Sequence, residues 1–346
     1  MKTPAELEQF YQTGLQPELQ SLERQRQAAV RRMIVVGLVL VPLAAGGGLL
    51  LAAATRSPLP LVFLAGAAVI VAAAVMRACC RDYVRQFKAT VIDRLVRFVD
   101  ENLRYDPAGR LDEATFIGCQ IFQQHPDRYQ GEDLVAGRVG ATDMAFSEVH
   151  AEYKTTTHDS KGRPQTHWHT IFRGVLFWAD FNKDFQGRTV VLPDTAERWF
   201  GRFGQMLQSW NIGRGELVKL EDPEFERLFA VYADDQVEAR YILSTSLMKR
   251  IVDFRRKTER EISLSFIGAR VYVALPGHRD LFEPRLLSSV AAFEPVRQYF
   301  EDLHLLTGIV EDLHLNLRIW SKEEVAGTPA ALHSQGTDRT PRPPGD

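Results

Sequence analysis

Cysteine is scarce in this chain, with 3 residues among 346. A disulfide framework is therefore not expected, and so low a content is typical of a protein whose folded part lies in a reducing compartment. Cys119 stands in an apolar helical pattern, so we expect a buried and unreactive thiol. Cys79 and Cys80 adjoin an apolar run, where two interpretations stay open: an acylation site, or two small side chains that fill a helix end.

A surplus of charge of one sign is also lacking, because the formal net charge at pH 7 is −2. A nucleic-acid partner is not expected for so balanced a chain. The sequence has no Gly-x-Ser-x-Gly nucleophile elbow, and the glycine pairs at positions 201/204 and 213/215 lack the strand, helix and lysine of a phosphate-binding loop. We therefore expect no catalytic residue and no bound cofactor.

The histidines do not form a metal-binding pattern. His167 and His169 lie on one face of a predicted strand, with His150 and His158 nearby in sequence. Zinc and similar metals need three or four converging ligands, and this pair supplies two. We therefore predict an exposed polar strand end and no metal site.

Two long runs without a charged residue are present instead, at Met33–Ala54 and Leu59–Met76. As helices they would be about 33 Å and about 27 Å long, so each can cross a bilayer core of about 30 Å. Only the four residues from Thr55 to Pro58 separate them. The sequence therefore predicts an antiparallel transmembrane helical hairpin over 33–76, with both flanks on the same side of the membrane.

Basic residues indicate which side the flanks occupy. The loop between the runs has only Arg56, whereas eight basic residues flank the hairpin: Arg24, Arg26, Arg31, Arg32, Arg77, Arg81, Arg85 and Lys88. Lys and Arg collect on the cytoplasmic side of membrane spans. We expect a multi-pass inner (plasma) membrane protein with both termini in the cytoplasm. The 32 residues before the first run favour a retained anchor over a cleaved signal peptide.

The flanks of the hairpin have helical patterns. Residues 1–32 are predicted to be a cytoplasmic helical segment that begins with a capping box of Thr3 and Glu6. This segment could lie on the membrane, contact a partner or pack on the folded domain, and packing is the simplest interpretation. After the second run, apolar residues recur every three or four positions without Gly or Pro, which predicts an exit helix over 77–105. Asp112 would cap a further helix over about 113–123.

Residues 106–323 are predicted to form a cytoplasmic α+β domain, followed by a disordered tail over 324–346 that is rich in Pro, Gly, Ser and Thr. Close strand pairs between helices favour a mixed, largely antiparallel sheet over a doubly wound one. The predicted strands are Asp133–Val139, Thr142–Tyr153, Trp168–Phe181, Thr189–Leu192, Glu216–Leu220, Phe225–Ala233, Glu261–Ile267 and Ala269–Leu275. The predicted helices are Thr195–Leu207, Ser246–Lys257 and Val290–Leu306, and Lys154–Thr166 is predicted to be a polar loop. With the hairpin removed, we expect about residues 103–322 to fold as a soluble unit.

The most distinctive part of the domain is the segment Asp222–Ile251, DPEFERLFAVYADDQVEARYILSTSLMKRI. Asp235 and Glu238 have the spacing of a capping box, and Arg240 could pair with a carboxylate of that cluster. Three apolar side chains of the segment are expected in the core: Phe225, Phe229 and Val231.

This segment, behind two N-terminal apolar runs and a strand-rich middle, resembles the bacterial membrane proteins grouped as domain of unknown function 3137. The resemblance covers about residues 1–320, and the segment 222–251 is its specific part. It implies a bacterial inner-membrane protein with a cytoplasmic domain. It implies no activity, no substrate and no site residue.

Three functions agree with the sequence. The expected one is a membrane-anchored cytoplasmic interaction module, an adaptor or scaffold without catalysis of its own, whose partners are the lipid bilayer, through two transmembrane helices, and another protein. The second is a domain that senses lipid or a small ligand, in which residues 132–193 meet headgroups or the ligand. The third is an enzyme whose site is assembled from scattered residues. A deep pocket with convergent polar groups would favour the second or the third.

Overall fold

The computed structural model describes residues 2–181, 184–194, 215–277, 280–286 and 288–315. The chain begins with α1 (Pro4–Phe10), a π-helical turn (Tyr11–Leu15) and α2 (Gln16–Thr55), which follow one another without a break. The predicted capping box is present at its start. The Thr3 side chain accepts a hydrogen bond from the Glu6 N–H, and the Glu6 carboxylate accepts one from the Thr3 N–H at 2.7 Å.

The two charge-free runs lie in two long antiparallel helices, α2 and α3 (Leu59–Phe87), joined by a short turn. The left-handed backbone of Arg56, with a φ of 50°, ends α2. The helices approach closely at Gly48, where an added Cβ would lie 2.6 Å from the Leu61 Cδ1 atom. Both helices are long and apolar enough to span a membrane, and their most apolar windows are only 6% and 0% buried inside the protein. A core helix of a soluble protein would be mostly buried.

The exit helix is shorter than predicted. After α3, a π-helical turn (Lys88–Ile92) leads into α4 (Asp93–Val99), which ends where Asp100 adopts an extended backbone. Residues Leu103–Asp106, mostly assigned to the exit helix from the sequence, form strand β1 instead. Pairing with the neighbouring strand satisfies their backbone groups, and this tertiary interaction overrides the local helical pattern.

In the described part of the chain, nine strands form one sheet. After β1 they are β2 (Arg128–Val139), β3 (Thr142–His158), β4 (Pro164–Asp180), β5 (Arg188–Pro193), β6 (Glu216–Val218), β7 (Phe229–Ala233), β8 (Ser263–Ile267) and β9 (Arg270–Pro276). The spatial order is β1-β2-β3-β4-β9-β8-β5-β7-β6, and every neighbouring pair is antiparallel. The prediction of a mixed α+β fold with a largely antiparallel sheet is confirmed.

The remaining described helices are α5 (Glu113–Gly118), α6 (Pro223–Leu228), α7 (Gln236–Ile242), α8 (Thr245–Thr258) and α9 (Phe293–Asp312). The strand predicted over Phe225–Ala233 is wrong in its first half, which is helical. Asp222 caps α6 by accepting hydrogen bonds from two N–H groups at 3.0 Å, and Pro223 suits the first helical turn. The predicted helix Thr195–Leu207 and the tail 324–346 lie outside the described residues.

The polar loop predicted over Lys154–Thr166 is also wrong. β3 and β4 stay paired as far as His158 and Pro164, beyond the last β2 partner at Glu152. We call this two-stranded extension, Tyr153–His169, the ribbon. Only the short turn after His158 is irregular, and the Asp159 carboxylate closes it by accepting the N–H groups of residues 161 and 163 at 2.8 and 2.9 Å.

Outside the ribbon, the central strands of the sheet are buried on both faces. Side chains alternate along each strand, so Phe146 and Phe177 face the larger core, which α4, α8 and α9 cover, whereas Ala145 and Leu176 face the smaller core beside α5. The N-terminal segment completes the larger core, in which Leu7, Leu15 and Leu19 are fully buried. Of the three placements open to residues 1–32, the structure has the segment packed on the domain.

The soluble unit is therefore expected to need more than residues 103–322. Replacing 33–76 by a short Gly-Ser linker between Arg32 and Arg77 should give a soluble, cooperatively folding protein, because the buried faces of the N-terminal segment and exit helix are retained. A chain that starts at Leu103 should aggregate or unfold at much lower denaturant. Size-exclusion chromatography and urea unfolding of the two proteins compare them, and equal stability would contradict the packing described here.

Candidate functional site

The most unusual polar group outside the apolar runs is Lys88. It is the first residue of the π-helical turn after α3, and only 3% of it is exposed. A π turn shifts the face that the following residues present, which is a common device at functional positions. The Lys88 Nζ atom lies 2.8 Å from Glu132 Oε2, 2.9 Å from Asp133 Oδ2 and 3.2 Å from Glu283 Oε1. We call these four residues the Lys88 cluster.

A β-bulge brings two of the carboxylates to the same lysine. Adjacent residues of a strand normally face opposite sides of a sheet. Here the pairing of β2 with β3 shifts register between Glu132 and Val135, and Asp133 has a left-handed backbone with a φ of 62°. Both carboxylates therefore reach the Lys88 ammonium. The Tyr105 hydroxyl, from β1, donates a hydrogen bond to the other oxygen of Asp133.

Burial and charge set the protonation of the cluster. Burial alone would lower the pKa of Lys88, but the carboxylates of Asp133, Glu132 and Glu283 outweigh it, and the pKa of Lys88 is raised. Burial raises the pKa of Asp133 to about 6, against the lowering effect of Lys88. At pH 7 the two groups form an ion pair in which Asp133 is 1% exposed.

Glu148 lies beside the cluster and behaves differently. It is the cross-strand partner of Glu132, and its carboxyl group accepts a hydrogen bond from the Leu281 N–H. Burial raises the pKa of Glu148 to about 8, and the nearby charges of Asp133 and Asp280 add to this increase. Glu148 is therefore mostly protonated at pH 7, which relieves the repulsion between carboxylates that face each other across the strands.

A groove of about 410 Å³ opens next to Glu148. Its walls combine both signs of charge, with Arg173 and Arg260 facing Asp280 and the Glu148 carboxyl group, and Arg173 pairs with Asp280 at 3.1 Å. Gly174 of β4 also lines the groove, and it lies so close to the paired strand β9 that an added Cβ would be 2.2 Å from the Leu275 carbonyl oxygen. The groove is polar and open, and it can hold a small zwitterionic or hydrated group.

The carboxylates could also be considered as metal ligands. One oxygen each from Glu132, Asp133 and Glu148 lies within 4.8 Å of the others. Calcium takes six to eight oxygen ligands, and magnesium needs a near-octahedral set. The Lys88 ammonium already lies within hydrogen-bonding distance of two of these three residues, so it occupies the position of the cation and neutralises the carboxylates itself.

The histidines singled out in the sequence lie on the ribbon. His167 and His169 share one face of β4, and each ring contacts a threonine of β3, Thr157 at 3.2 Å and Thr155 at 2.9 Å. His150 lies in the groove wall, 3.8 Å from a Glu152 oxygen. The structure thus separates the histidine pair from the carboxylates of the Lys88 cluster.

Two further expectations concern buried groups. Cys119 is fully buried, and burial raises the pKa of its thiol to about 12, as expected for an unreactive cysteine. In the distinctive segment, the prediction that Phe225, Phe229 and Val231 are buried is confirmed.

The capping box predicted at Asp235 is only half formed. Asp235 caps α7, but the Glu238 carboxylate accepts the N–H groups of Gln186 and Gly187 at 2.8 and 2.9 Å rather than returning to the cap. Among the described residues, the Arg240 side chain contacts Gln236 at 3.4 Å rather than a carboxylate. The segment therefore fastens the strand connection before β5 to α7.

Sequence reasoning missed the Lys88 cluster because it counted Lys88 among the basic residues that flank the membrane. The cluster joins residues 88, 132, 133 and 283, which are far apart in the chain. One local signal was available: Lys88 directly follows Phe87 inside the apolar stripe of the exit helix, where a solvated lysine is out of place.

Comparison with known proteins gives a match to one family model over part of the chain and no activity. Residues 170–315 match the sequence model of the family described as "Protein of unknown function (DUF3137)", and the segment 222–251 lies inside this match. No curated protein matches the chain. A crystal structure of the mycobacterial trehalose monomycolate transport factor A, TtfA, is similar with 11% identity and a TM-score of 0.30, over 64% of this chain and 94% of that one. A likeness at that TM-score carries no functional argument.

Replacing Lys88 by an uncharged residue should lower the free energy of unfolding. Lys88→Met leaves Asp133 as a buried, unpaired carboxylate, which typically costs about 3–5 kcal/mol of unfolding free energy. Lys88→Met combined with Asp133→Asn should recover part of that loss. The control is Arg94→Met, which breaks an ion pair with Glu18 in which the arginine side chain is 45% exposed and should cost at most about 1 kcal/mol. Denaturant unfolding in detergent micelles gives the free energy of unfolding of the unchanged protein and the three variants. A small effect of Lys88→Met would contradict the buried pairing.

Glu148 should give stability an unusual pH dependence. Its folded pKa, about 8, lies above the ordinary value of 4.5, so its stabilising contribution is complete below about pH 4.5 and is lost as the pH rises towards 8. Glu148→Gln keeps an acceptor for the Leu281 N–H but cannot ionise. The variant should therefore lose less stability than the unchanged protein between about pH 5 and pH 8. If the free energy of unfolding changes equally with pH in both proteins over this range, the raised pKa of Glu148 is refuted.

Proposed function

We propose a function from the arrangement of this chain's own residues, because the family whose model matches residues 170–315 is described without an activity. The proposed function is a membrane-anchored cytoplasmic interaction module that holds its α+β domain in a fixed orientation beside the bilayer. The observation that carries the proposal is the Lys88 cluster. It ties the helix that continues from the second apolar run to the bulge of β2 and to the segment before α9.

The anchor is supported by the outward-facing apolar helices. Large side chains of both are exposed, including Leu38 at 69% and Phe63 at 75%. In water so large an apolar surface would be unfavourable, whereas in lipid it is expected. The excess of Lys and Arg on both flanks, against Arg56 alone in the turn, supports a cytoplasmic location of the domain and both termini.

The fixed orientation is supported by packing on both flanks. Tyr83, Phe87 and Val91 of the exit helix are buried in the larger core. The N-terminal flank is also fastened: Arg26 donates a hydrogen bond to the Leu286 carbonyl oxygen at 2.7 Å, and its guanidinium pairs with Glu23. The domain is thus connected to the anchor without a flexible linker. This suits a scaffold that presents one surface at a defined distance from the membrane.

An apolar corner supports the interaction role. Among the described residues outside α2 and α3, exposed large apolar side chains are few, and three of them lie near the β6 edge of the sheet: Leu217, Val237 and Tyr241. Val237 and Tyr241 are four residues apart on α7 and so share a face. α7 is held next to β6 by the hydrogen bond from Gln236 to Glu216 at 2.7 Å. These three residues lie within the range that matches the family model, and we propose that the protein partner binds at this corner.

Two measurements test the proposal. Reporter fusions at residue 56 and at the C-terminus should report opposite sides of the membrane, because the flanking basic residues outweigh Arg56. In the native membrane, proximity labelling from the full chain should identify a protein whose labelling falls with Val237→Lys but not with Asp253→Lys, an exposed change on α8. Reporters on the same side would exclude the anchor, and equal labelling with both variants would exclude the corner.

A further inference from the structure

The ribbon, Tyr153–His169, has no role in the proposed interaction surface, and its direction can be derived from the contacts. α4 ends at Val99, and β1 begins four residues later. The last residues of β1 lie at the level of Lys88, because Tyr105 hydrogen-bonds to Asp133, which pairs with Lys88. β1 therefore runs back along the exit helix towards the apolar runs. Antiparallel pairing then makes β2 run away from them and β3 run towards them.

A second contact gives the same direction. Glu148 of β3 accepts a hydrogen bond from Leu281, at the start of the segment whose Leu286 carbonyl oxygen binds Arg26. Arg26 is seven residues before the first apolar run, about 10 Å along a helix. The end of the sheet where Glu148 lies is therefore the end nearest to the apolar runs.

The ribbon is long enough to reach the level of the membrane surface. From Lys88 back to the end of the second apolar run at Met76 is twelve residues of helix, about 18 Å. Glu148 lies near the level of Lys88, because its cross-strand partner Glu132 pairs with Lys88. From Glu148 to His158 is ten residues of strand, about 33 Å. Even if the strand is tilted by about 55° from the helix axis, its length projected on that axis still reaches about 18 Å. The turn of the ribbon therefore lies at the level where α2 and α3 would enter the lipid.

The composition of the ribbon suits a position at the lipid headgroups. It has three basic residues, Lys154, Lys161 and Arg163, against one acidic residue, Asp159, whose carboxylate closes the turn. Lys154 pairs with Asp127 at 3.8 Å, so Lys161 and Arg163 carry the argument. Among the described residues, neither Lys161 nor Arg163 has a carboxylate partner within 4.0 Å. Trp168 is 40% exposed, with the Arg128 guanidinium 3.8 Å from its ring. Tryptophan and basic side chains are the groups that favour the headgroup region.

The opposite end of β3 provides a contrast. The turn between β2 and β3 has one basic and one acidic side chain, Arg138 and Asp143, which neutralise each other through two hydrogen bonds of 2.7 and 2.9 Å. Of the two ends of β3, the end that points towards the apolar runs is thus the one with basic side chains, Lys161 and Arg163, that lack an ion pair among the described residues.

We propose that the ribbon rests on the anionic phospholipid headgroups of the leaflet that α2 and α3 enter, and so forms a second, electrostatic contact with the membrane. The proposal rests on the anchoring of α2 and α3 in that membrane. The contact adds a third support beside the two helices. It also makes the position of the domain depend on the lipid composition of that leaflet.

The test uses the full chain in vesicles, with an environment-sensitive fluorophore on single introduced cysteines. Cys79 and Cys80 are first changed to Ser, and Cys119 stays buried. The probe positions are Ser160→Cys at the turn of the ribbon, Ala141→Cys at the other end of β3, and Ile70→Cys in the second apolar run. The vesicles are phosphatidylcholine with or without phosphatidylglycerol, and a headgroup spin label quenches probes at the surface.

The Ser160 probe should be quenched in vesicles with phosphatidylglycerol and the Ala141 probe should not. Each basic residue near an anionic surface changes binding by about fivefold, so Lys161→Glu with Arg163→Glu should lower the ratio of bound to free ribbon by at least about 25-fold. The matched control is Lys219→Glu with Arg227→Glu, two exposed basic residues at the β6 edge. Raising the salt to 1 M should also release the ribbon, since the Debye length falls to about 3 Å.

The outcomes separate the two proposals. A water-exposed Ile70 probe would overturn the anchor itself. A lipid-buried Ile70 probe with an unquenched Ser160 probe would overturn only the ribbon contact. A Ser160 signal that depends on protein concentration and not on lipid charge would mean that ribbons of two copies meet, which also overturns the lipid contact.

Discussion

The burial of one ammonium group, that of Lys88, is the constraint on which the rest of the arrangement depends. An isolated charge in a protein interior costs several kcal/mol, so the exit helix can pack on the sheet only where carboxylates compensate it. They come from the β2 bulge and from the segment before α9, and Tyr105 adds a hydrogen bond to Asp133. Sliding the helix by a turn would leave both Lys88 and Asp133 unpaired. The cluster thus selects one register between the helix and the sheet.

This constraint explains why the protein has no clean boundary between the two long apolar helices and the domain. The buried leucines of residues 1–32, the exit helix and the sheet share one core, and the Lys88 cluster joins the exit helix to the sheet and to the segment before α9. Two exposed surfaces are then held in fixed places relative to the apolar helices. One is the basic ribbon, and the other is the apolar corner around Val237. Their chemistry differs, which agrees with a lipid contact for the first and a protein contact for the second.

The sequence was most informative where one local rule operates. Two charge-free runs predicted two long helices, alternating strand pairs predicted an antiparallel sheet, and the spacing of Thr3 and Glu6 predicted a capping box. The ribbon was missed because both of its faces are exposed, so the strands have no apolar alternation to reveal them. β1 was missed because a helical stripe continues through it and only the pairing with β2 decides its structure. The Lys88 cluster was missed because its residues are brought together by the fold alone.

The packing of the N-terminal segment has a consequence for how this protein is made. Tyr11 hydrogen-bonds to the carbonyl oxygen of Ala291, 280 residues away, and its ring lies 5.2 Å from that of Phe293. The apolar face of α1 is therefore covered only after α9, far along the chain, is in place. Such distant contacts slow folding, because the entropy of closing the loop is lost before the contacts form. Under the proposed anchoring, α2 and α3 enter the bilayer before the core is complete, and the tethered chain assembles its sheet beside the membrane with Leu7, Leu15 and Leu19 still uncovered.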